Sequence, residues 1–318
     1  MATPCPALEL PKYALDGRTL SWNADGTGVM FDSTDDEYHS DNDAASSSAL
    51  KLMDRSPAHL IAERLRRTQM SASGNTAAKK HFVFGTAVHS AVLEPRAFKQ
   101  TYIAYPGPEN NSTSRTKAYR DFEQANPNKR ILMPSKMAEV EGCARSILST
   151  SVIRTDTQSF TMADLVDIGT TERNFYWVDL ETGVTCKARM DLTIENLVLD
   201  VKTAPDARRE RFMYDAAKFG YHIQAAFYMD GYARCMPENS NIIMTFLVAE
   251  RTSPHGAVVY QADKDTFWGF GRKRVRELLV QYRKCMQTRH WPAYAEGPQL
   301  LKLPMSKLYQ APRYDFNY

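Results

Sequence analysis

Two aspartates and a lysine stand where two short β-strands could bring them together. Asp191 lies near the end of one alternating stretch, and the triplet Asp200-Val201-Lys202 follows a short turn. Neighbouring carboxylates repel, which raises their pKa values, and a divalent cation removes that repulsion. A lysine beside such a cation could stabilise charge on a phosphoryl oxygen. The triplet is also explained by a simple salt bridge between Lys202 and either aspartate, and both interpretations are open at this point.

The stretch from residue 174 to residue 204 has the period of two that is typical of β-strands. A turn at Glu181-Thr182-Gly183 predicts a β-hairpin, and a second turn at Glu195-Asn196 leads into a third strand. Alternation places Asp191 on the face of its strand that also carries Thr185, Lys187 and Arg189. The opposite face carries Val184, Cys186, Ala188, Met190 and Leu192. On the third strand, Val198, Asp200 and Lys202 share one face, and Leu197, Leu199 and Val201 share the other. We therefore expect Asp191, Asp200 and Lys202 to meet, with Arg189 beside them.

Helical patterns surround these strands. The predicted helices cover 46–67, 81–95, parts of 116–150 with breaks at Asn126-Pro127 and near Pro134, 207–236 with an interruption near Gly220, and 265–288. Two further strands are predicted over 241–250 and 256–262. The order of helix, three antiparallel strands, helix, two strands and helix predicts an α/β or α+β fold with one central sheet flanked by helices.

Composition and charge limit the classes of protein to which this chain can belong. The chain has 318 residues, 43% of them hydrophobic, and a net charge of +3, which excludes collagen-like, coiled-coil and wholly disordered chains. No run reaches the roughly 18 apolar residues of a membrane span, and the N-terminus lacks a signal-peptide pattern. We therefore expect a cytoplasmic protein without membrane association. The five cysteines lack the spacing of a zinc or iron–sulfur site.

The charge is unevenly distributed along the chain. Residues 1–50 hold nine acidic and two basic residues, so residues 1–45 are predicted to be an acidic, mobile N-terminal arm. Residues 46–318 are predicted to be the folded domain. That domain carries basic clusters, which indicate a polyanionic partner. They are Arg64-Arg66-Arg67, Lys79-Lys80, Arg208-Arg209-Arg211 and Arg272-Lys273-Arg274-Arg276.

Six segments, in order along residues 46–300, resemble the exonuclease VIII (RecE-type) group in the RecB-like branch of the PD-(D/E)xK nucleases. The segments are SSSALKLMDRSPAHL (46–60), FGTAVHSAVLEP (84–95), TGVTCKARMD (182–191), LDVKTA (199–204), YHIQAAFYMDGY (221–232) and RHWPAY (289–294). Met190 stands where the superfamily often has proline. The resemblance implies a restriction-endonuclease-like core with a central mixed sheet flanked by helices.

The resemblance also implies roles for individual residues. His89, Asp191, Asp200 and the Val201 carbonyl would bind Mg²⁺, with Mn²⁺ also supporting activity, and Lys202 would be catalytic with the two aspartates. Arg189, Gln224 and Tyr228 would contact substrate or orient Lys202, and the i, i+4 spacing of Gln224 and Tyr228 places them on one helix face. The alternatives are a core histidine at His89, an ion pair at the surface for Arg189 and a half-buried polar stripe for the Gln–Tyr pair.

The function that the resemblance implies is a divalent-metal-dependent exonuclease. It would degrade double-stranded DNA from 5′ to 3′ and leave 3′ single strands for a RecT-type annealing protein in phage-style recombination. The resemblance further implies a ring-shaped tetramer around DNA. Two alternatives are open: a nuclease acting on single-stranded or flap DNA or cutting internally, and a catalytically inactive DNA-binding scaffold.

Overall fold

The computed structural model describes residues 14–15, 18–19, 26–30, 38, 41–72, 84–110, 113–154, 157–239, 241–294 and 297–302. Its strands are β1 (Ala14–Leu15), β2 (Arg18–Thr19), β3 (Thr27–Met30), β4 (Tyr102–Ala104), β5 (Arg130–Leu132), β6 (Ser151–Arg154), β7 (Ser159–Thr161), β8 (Thr170–Val178), β9 (Thr185–Ile194), β10 (Leu197–Ala204), β11 (Ile243–Glu250) and β12 (Ala257–Gln261).

The α-helices are α1 (Ser47–Arg55), α2 (Pro57–Ala72), α3 (Phe84–Leu93), α4 (Pro95–Thr101), α5 (Lys117–Ala125), α6 (Pro134–Ser149), α7 (Met162–Ile168), α8 (Arg209–Lys218), α9 (Tyr221–Cys235) and α10 (Gly271–Thr288). A 3₁₀ turn covers Thr113–Arg115, and a π-helix, Lys264–Phe270, leads directly into α10. Across the described parts of the chain, we find no helix with both the length and the apolar character needed to cross a bilayer.

One six-stranded sheet organises the chain, in the order β12-β11-β10-β9-β8-β3. β10 and β11 are parallel, and the other neighbours in this sheet are antiparallel. Parallel neighbours need a crossover connection, and α8 and α9 provide it. The mixed sheet flanked by helices confirms the predicted fold class.

Each face of the sheet is covered by its own hydrophobic layer. The first layer contains buried residues of α1, α8, α9 and α10, and the second contains those of α3, α6 and α7. The predicted alternation holds along β10, since Val198 packs in the first layer while Leu199 and Val201 pack in the second. Both faces of the central strands are therefore buried, and polar side chains on them must find partners inside the protein.

The alternation predicted for β9 is wrong at its end. Met190 packs in the first layer, as predicted, but Leu192 packs in the second. The change of face between Met190 and Leu192 occurs beside Glu172 on the neighbouring strand β8. Glu172 has a φ of 52°, which lies in the left-handed region that few non-glycine residues adopt. The change of face also coincides with the end of the β9–β10 ladder at the pair Leu199–Leu192.

Two predicted interruptions of helices are confirmed. α8 and α9 are separated at Gly220, whose φ of 64° favours glycine. The predicted helical stretch of residues 116–150 is divided into α5 and α6, with the short strand β5 between them. The strand β3, which forms the edge of the main sheet next to β8, has no counterpart among the elements predicted from the sequence.

Part of the N-terminal acidic segment is joined to the domain. Besides β3, the segment supplies main-chain acceptors to the buried Lys187, whose Nζ donates to the carbonyl oxygen of Tyr38 and, at 2.6 Å, to that of Asp41. The residues before Ala14 lie outside the described residues. A mobile arm over the whole of residues 1–45 therefore does not describe β3, Tyr38 or residues 41–45, since Ala45 is buried and its main chain is hydrogen-bonded to β9. For the rest of residues 1–45 the mobile arm stays a prediction.

Replacing Gly231 by alanine tests the packing of α9 against the sheet. A Cβ atom at Gly231 would lie 2.6 Å from Cζ3 of the buried Trp177 indole, so the helix or the ring must shift. We expect Gly231→Ala to lower the free energy of unfolding by about 1–3 kcal/mol, measured by urea denaturation. Gly256→Ala is the matched control, because the nearest atom to its Cβ is 3.6 Å away. Equal stability of the two variants would contradict this packing.

Candidate active site

The predicted site residues all line one cleft of about 720 Å³, formed by the main sheet together with α1, α3 and α9. They are His89, Arg189, Asp191, Asp200, Val201, Lys202, Gln224 and Tyr228. The structure therefore places all of the predicted side chains in one cleft, although their contacts differ in part from those expected.

The two aspartates meet where β9 and β10 separate. Beyond the last paired residues, Leu199 and Leu192, the carboxylate of Asp191 takes the place of a strand carbonyl and accepts a hydrogen bond from the Val201 amide at 2.7 Å. Asp191 is 7% exposed and Asp200 is 2% exposed. The end of the ladder thus gives Asp191 a buried position directly beside the D-x-K triplet.

Asp200 is held from two sides. Its Oδ2 forms an ion pair with Lys202 Nζ, and its Oδ1 accepts a hydrogen bond of 2.6 Å from Gln224 Nε2. Burial and then the charge of Asp191 raise the pKa of Asp200. Burial opposes the charged form of Lys202, but Asp200 and Asp191 outweigh it and raise the lysine pKa. Lys202 is therefore positively charged at neutral pH, as the salt-bridge interpretation and the catalytic one both require.

His89 reaches the Asp191 carboxylate from α3. The apolar residues Ala87, Val88 and Val92 bury one side of this helix in the second layer, while the His89 side chain remains 30% exposed. Its Nε2 lies 2.6 Å from Asp191 Oδ2. Burial disfavours the imidazolium, yet the carboxylates outweigh it and raise the pKa of His89 well above its ordinary value. His89 is thus a polar residue of the cleft and not a core histidine.

Glu172 is a site residue that the sequence analysis missed. Its Oε1 lies 3.1 Å from His89 Nδ1, and its other oxygen, Oε2, pairs with Arg189 Nε. The sequence analysis started the first strand at Asn174, whereas β8 begins at Thr170. The register that pairs Thr171 with Leu192 and Arg173 with Met190 places Glu172 beside Asp191, so an earlier strand start would have revealed it.

Three of these residues form a set suited to a divalent cation. One ligand atom each from His89, Glu172 and Asp191 lie within 4.8 Å of one another. An imidazole nitrogen with two carboxylate oxygens fits Mn²⁺ as well as Mg²⁺. Asp200 lies in the same cleft, but its oxygens contact Lys202 and Gln224. Metal binding by His89, Asp191, Asp200 and the Val201 carbonyl stays a prediction.

The remaining predicted residues have contacts that the sequence could not specify. Arg189 forms an ion pair with Glu172 and its side chain is 11% exposed, so the pair is buried in the cleft and does not lie at the surface. Tyr228 donates from its hydroxyl to the carbonyl oxygen of Arg189 at 2.9 Å. Gln224 contacts Asp200 and not Lys202. Contacts of these side chains with substrate stay predictions.

Lys51 is a second cation of the site that the sequence analysis missed. Its Nζ donates to Gln224 Oε1 at 3.1 Å, and Gln224 in turn donates to Asp200. Burial and then the charge of Lys202 lower the pKa of Lys51 to about 8. Because Lys51 fixes the amide of Gln224, it determines which atom of that amide faces Asp200.

The fold and this cleft define a class of protein. A mixed sheet that presents an aspartate and a D-x-K triplet to one cleft, with a histidine and a further acid beside them, is the arrangement of the PD-(D/E)xK superfamily. The chain belongs to the family described as "PDDEXK-like domain of unknown function (DUF3799)", whose sequence model matches residues 46–304. The predicted superfamily is therefore confirmed, and the RecE-type assignment within it stays a prediction.

The family assignment does not draw on comparisons with solved structures or with curated proteins. Among solved structures, the chain is similar to a candidate exonuclease from Eubacterium rectale, with 12% sequence identity and a TM-score of 0.47 over 89% of this chain and 100% of that one. Comparison with curated proteins gives no match. The family assignment rests on the sequence match.

Replacing Glu172 by glutamine tests the proposed cation site. We expect Glu172→Gln to weaken Mn²⁺ binding by about tenfold or more, because one anionic ligand is lost from a set of three. Electron paramagnetic resonance of free Mn²⁺ during a titration measures this affinity. Glu94→Gln is the matched control, since Glu94 lines the same cleft but is outside the three-residue set. If Glu172→Gln binds Mn²⁺ as the unmodified protein does, Glu172 is not a ligand.

Proposed function

We propose that this protein is a divalent-metal-dependent deoxyribonuclease that hydrolyses phosphodiester bonds in the cleft. The observation that carries the proposal is the juxtaposition of the set His89, Glu172 and Asp191 with the Asp200–Lys202 pair. A cation bound there would neutralise phosphate charge and lower the pKa of a bound water.

The side chains of the cleft have complementary tasks in this proposal. Lys202 supplies a fixed positive charge for the negative charge that develops on the phosphoryl oxygens. Asp200 holds the Lys202 ammonium in place, and Gln224 in turn fixes the Asp200 carboxylate through Oδ1. Asp191 is positioned by the Val201 amide, so its carboxylate needs little rearrangement to accept a cation.

The finer features of the function are proposed on the sequence resemblance. They comprise exonucleolytic degradation of double-stranded DNA from 5′ to 3′, Mg²⁺ as the working cation, and a RecT-type annealing protein as partner. A ring of four copies around DNA and a cytoplasmic location belong to the same set of proposals.

Replacing Lys202 by alanine tests the proposed catalytic role. On a 5′-labelled linear duplex with Mg²⁺, we expect Lys202→Ala to reduce the rate of hydrolysis by about 100-fold or more, because a preorganised charge at the reacting phosphate is lost. Asp200→Ala should have a comparable effect. Lys284→Ala, a change of an exposed lysine on α10, is the matched control and should retain full activity. Undiminished digestion by Lys202→Ala or Asp200→Ala would refute the site.

A comparison of substrates separates the proposed function from its alternatives. An exonuclease of duplex DNA digests the linear duplex and leaves a covalently closed circle intact, whereas a single-strand or flap nuclease prefers single-stranded ends. Linearisation of an intact circle would indicate an endonuclease. DNA binding without hydrolysis of any substrate in Mg²⁺ or Mn²⁺ would identify a scaffold.

A further inference from the structure

Helix α8 presents large apolar side chains to solvent. Phe212 and Ala216 anchor the helix in the first hydrophobic layer. Its outer side and its C-terminal end carry Met213, Tyr214 and Phe219, which are 57%, 76% and 50% exposed. Neither the packing of the fold nor the proposed catalytic residues account for this exposed group.

This surface continues into the catalytic cleft. The Phe219 ring centroid lies 6.0 Å from that of Tyr221. Tyr221 lines the cleft, and its ring centroid is 4.9 Å from Lys202 Nζ. The left-handed turn at Gly220 joins α8 to α9 at this point. Tyr221 therefore connects the proposed catalytic lysine with Phe219, an exposed ring adjacent to the lining of the cleft.

Positive charge accompanies the exposed rings. Lys218 Nζ lies 5.4 Å from the Phe219 ring centroid, and Arg209 and Arg211 are exposed on the same helix. In the predicted basic cluster Arg208-Arg209-Arg211, Arg208 forms an ion pair with Asp206. Among the described residues, no ion pair involves Arg209, Arg211 or Lys218. By contrast, Arg272, Arg274 and Arg276, all in the predicted basic cluster of α10, pair with carboxylates. The positive charge along α8, from Arg209 and Arg211 in its first turn to Lys218 beside Phe219, is thus available to a polyanion.

Exposed aromatic rings among available cations match the chemistry of single-stranded nucleic acid. Unpaired bases offer faces on which aromatic side chains stack, and the backbone offers phosphates to lysine and arginine. Duplex DNA keeps its base faces stacked internally and would use only the cations. An apolar protein partner would use the rings but would gain little from the basic residues.

We propose that Phe219 and the exposed side of α8 bind single-stranded DNA at the mouth of the cleft, with Phe219 stacking on a base near the scissile phosphate. This inference rests on the proposed nuclease function and assigns that site a subsite for the unpaired strand. Lys218, Arg209 and Arg211 contact the phosphates of the same strand.

The experiment measures binding without hydrolysis. Metal-free, full-length protein in EDTA is titrated into fluorescent oligo(dT) and, separately, into a blunt-ended duplex hairpin, with fluorescence anisotropy as the readout. We expect Phe219→Ala and Phe219→Leu to weaken oligo(dT) binding by about tenfold, and Phe219→Trp to retain it. Binding of the hairpin should change by less than about twofold, because duplex bases are not available for stacking.

Tyr294→Ala is the matched control, since Tyr294 is also highly exposed but its ring packs against His59, which does not line the cleft; it should bind oligo(dT) as the unmodified protein does. Thermal melting of each variant establishes that it is folded. Unchanged oligo(dT) binding by Phe219→Ala, an equal loss on the hairpin, or retention by Phe219→Leu would overturn the stacking subsite, as would failure of the unmodified protein to bind oligo(dT). None of these results depends on hydrolysis, so failure of the nuclease proposal is recognised separately in the Lys202 assay.

Discussion

The burial of two neighbouring carboxylates is the constraint on which this structure depends. Asp191 and Asp200 are almost entirely removed from water, where like charges repel strongly and uncompensated charge is costly. Compensation comes from His89 for Asp191 and from Lys202 for Asp200. A structural protein gains little from so concentrated a charge cluster, since apolar residues of similar volume often stabilise a core at least as well. A charge cluster that opens into a cleft is instead typical of a site that binds ions and substrate.

The fold supplies the geometry that this charge cluster needs. β10 pairs with the parallel strand β11 along its whole length. The main chain of β10 therefore stays paired with β11 beyond Leu199, where its pairing with β9 ends. The gap beside Leu199 then accommodates the Asp191 carboxylate, which accepts from the Val201 amide. Helices from both layers complete the site, with His89 from α3 and Gln224 from α9. The hydrophobic layers therefore fix the cluster from two directions, and the cleft opens between them.

Sequence reasoning succeeded where local patterns determine structure and failed where distant segments meet. Alternation along β10 and the glycine at position 220 were sufficient to place Asp200, Lys202 and the break between α8 and α9. Glu172 was missed because its importance comes from the register between β8 and β9, which local composition does not determine. Lys51 was missed because its contact with Gln224 joins residues 173 positions apart. The strand β3 was hidden by the acidic composition around it, since pairing with β8 outweighs that local signal.

Anomalous diffraction from crystals soaked in Mn²⁺ is the most direct test of the central claim that these buried acids form a cation site. We expect one or more anomalous peaks in contact with His89, Glu172 and Asp191, with the Lys202 ammonium beside them. A fully soaked crystal without a peak in this cleft, or with His89 rotated away from both acids, would contradict the claim.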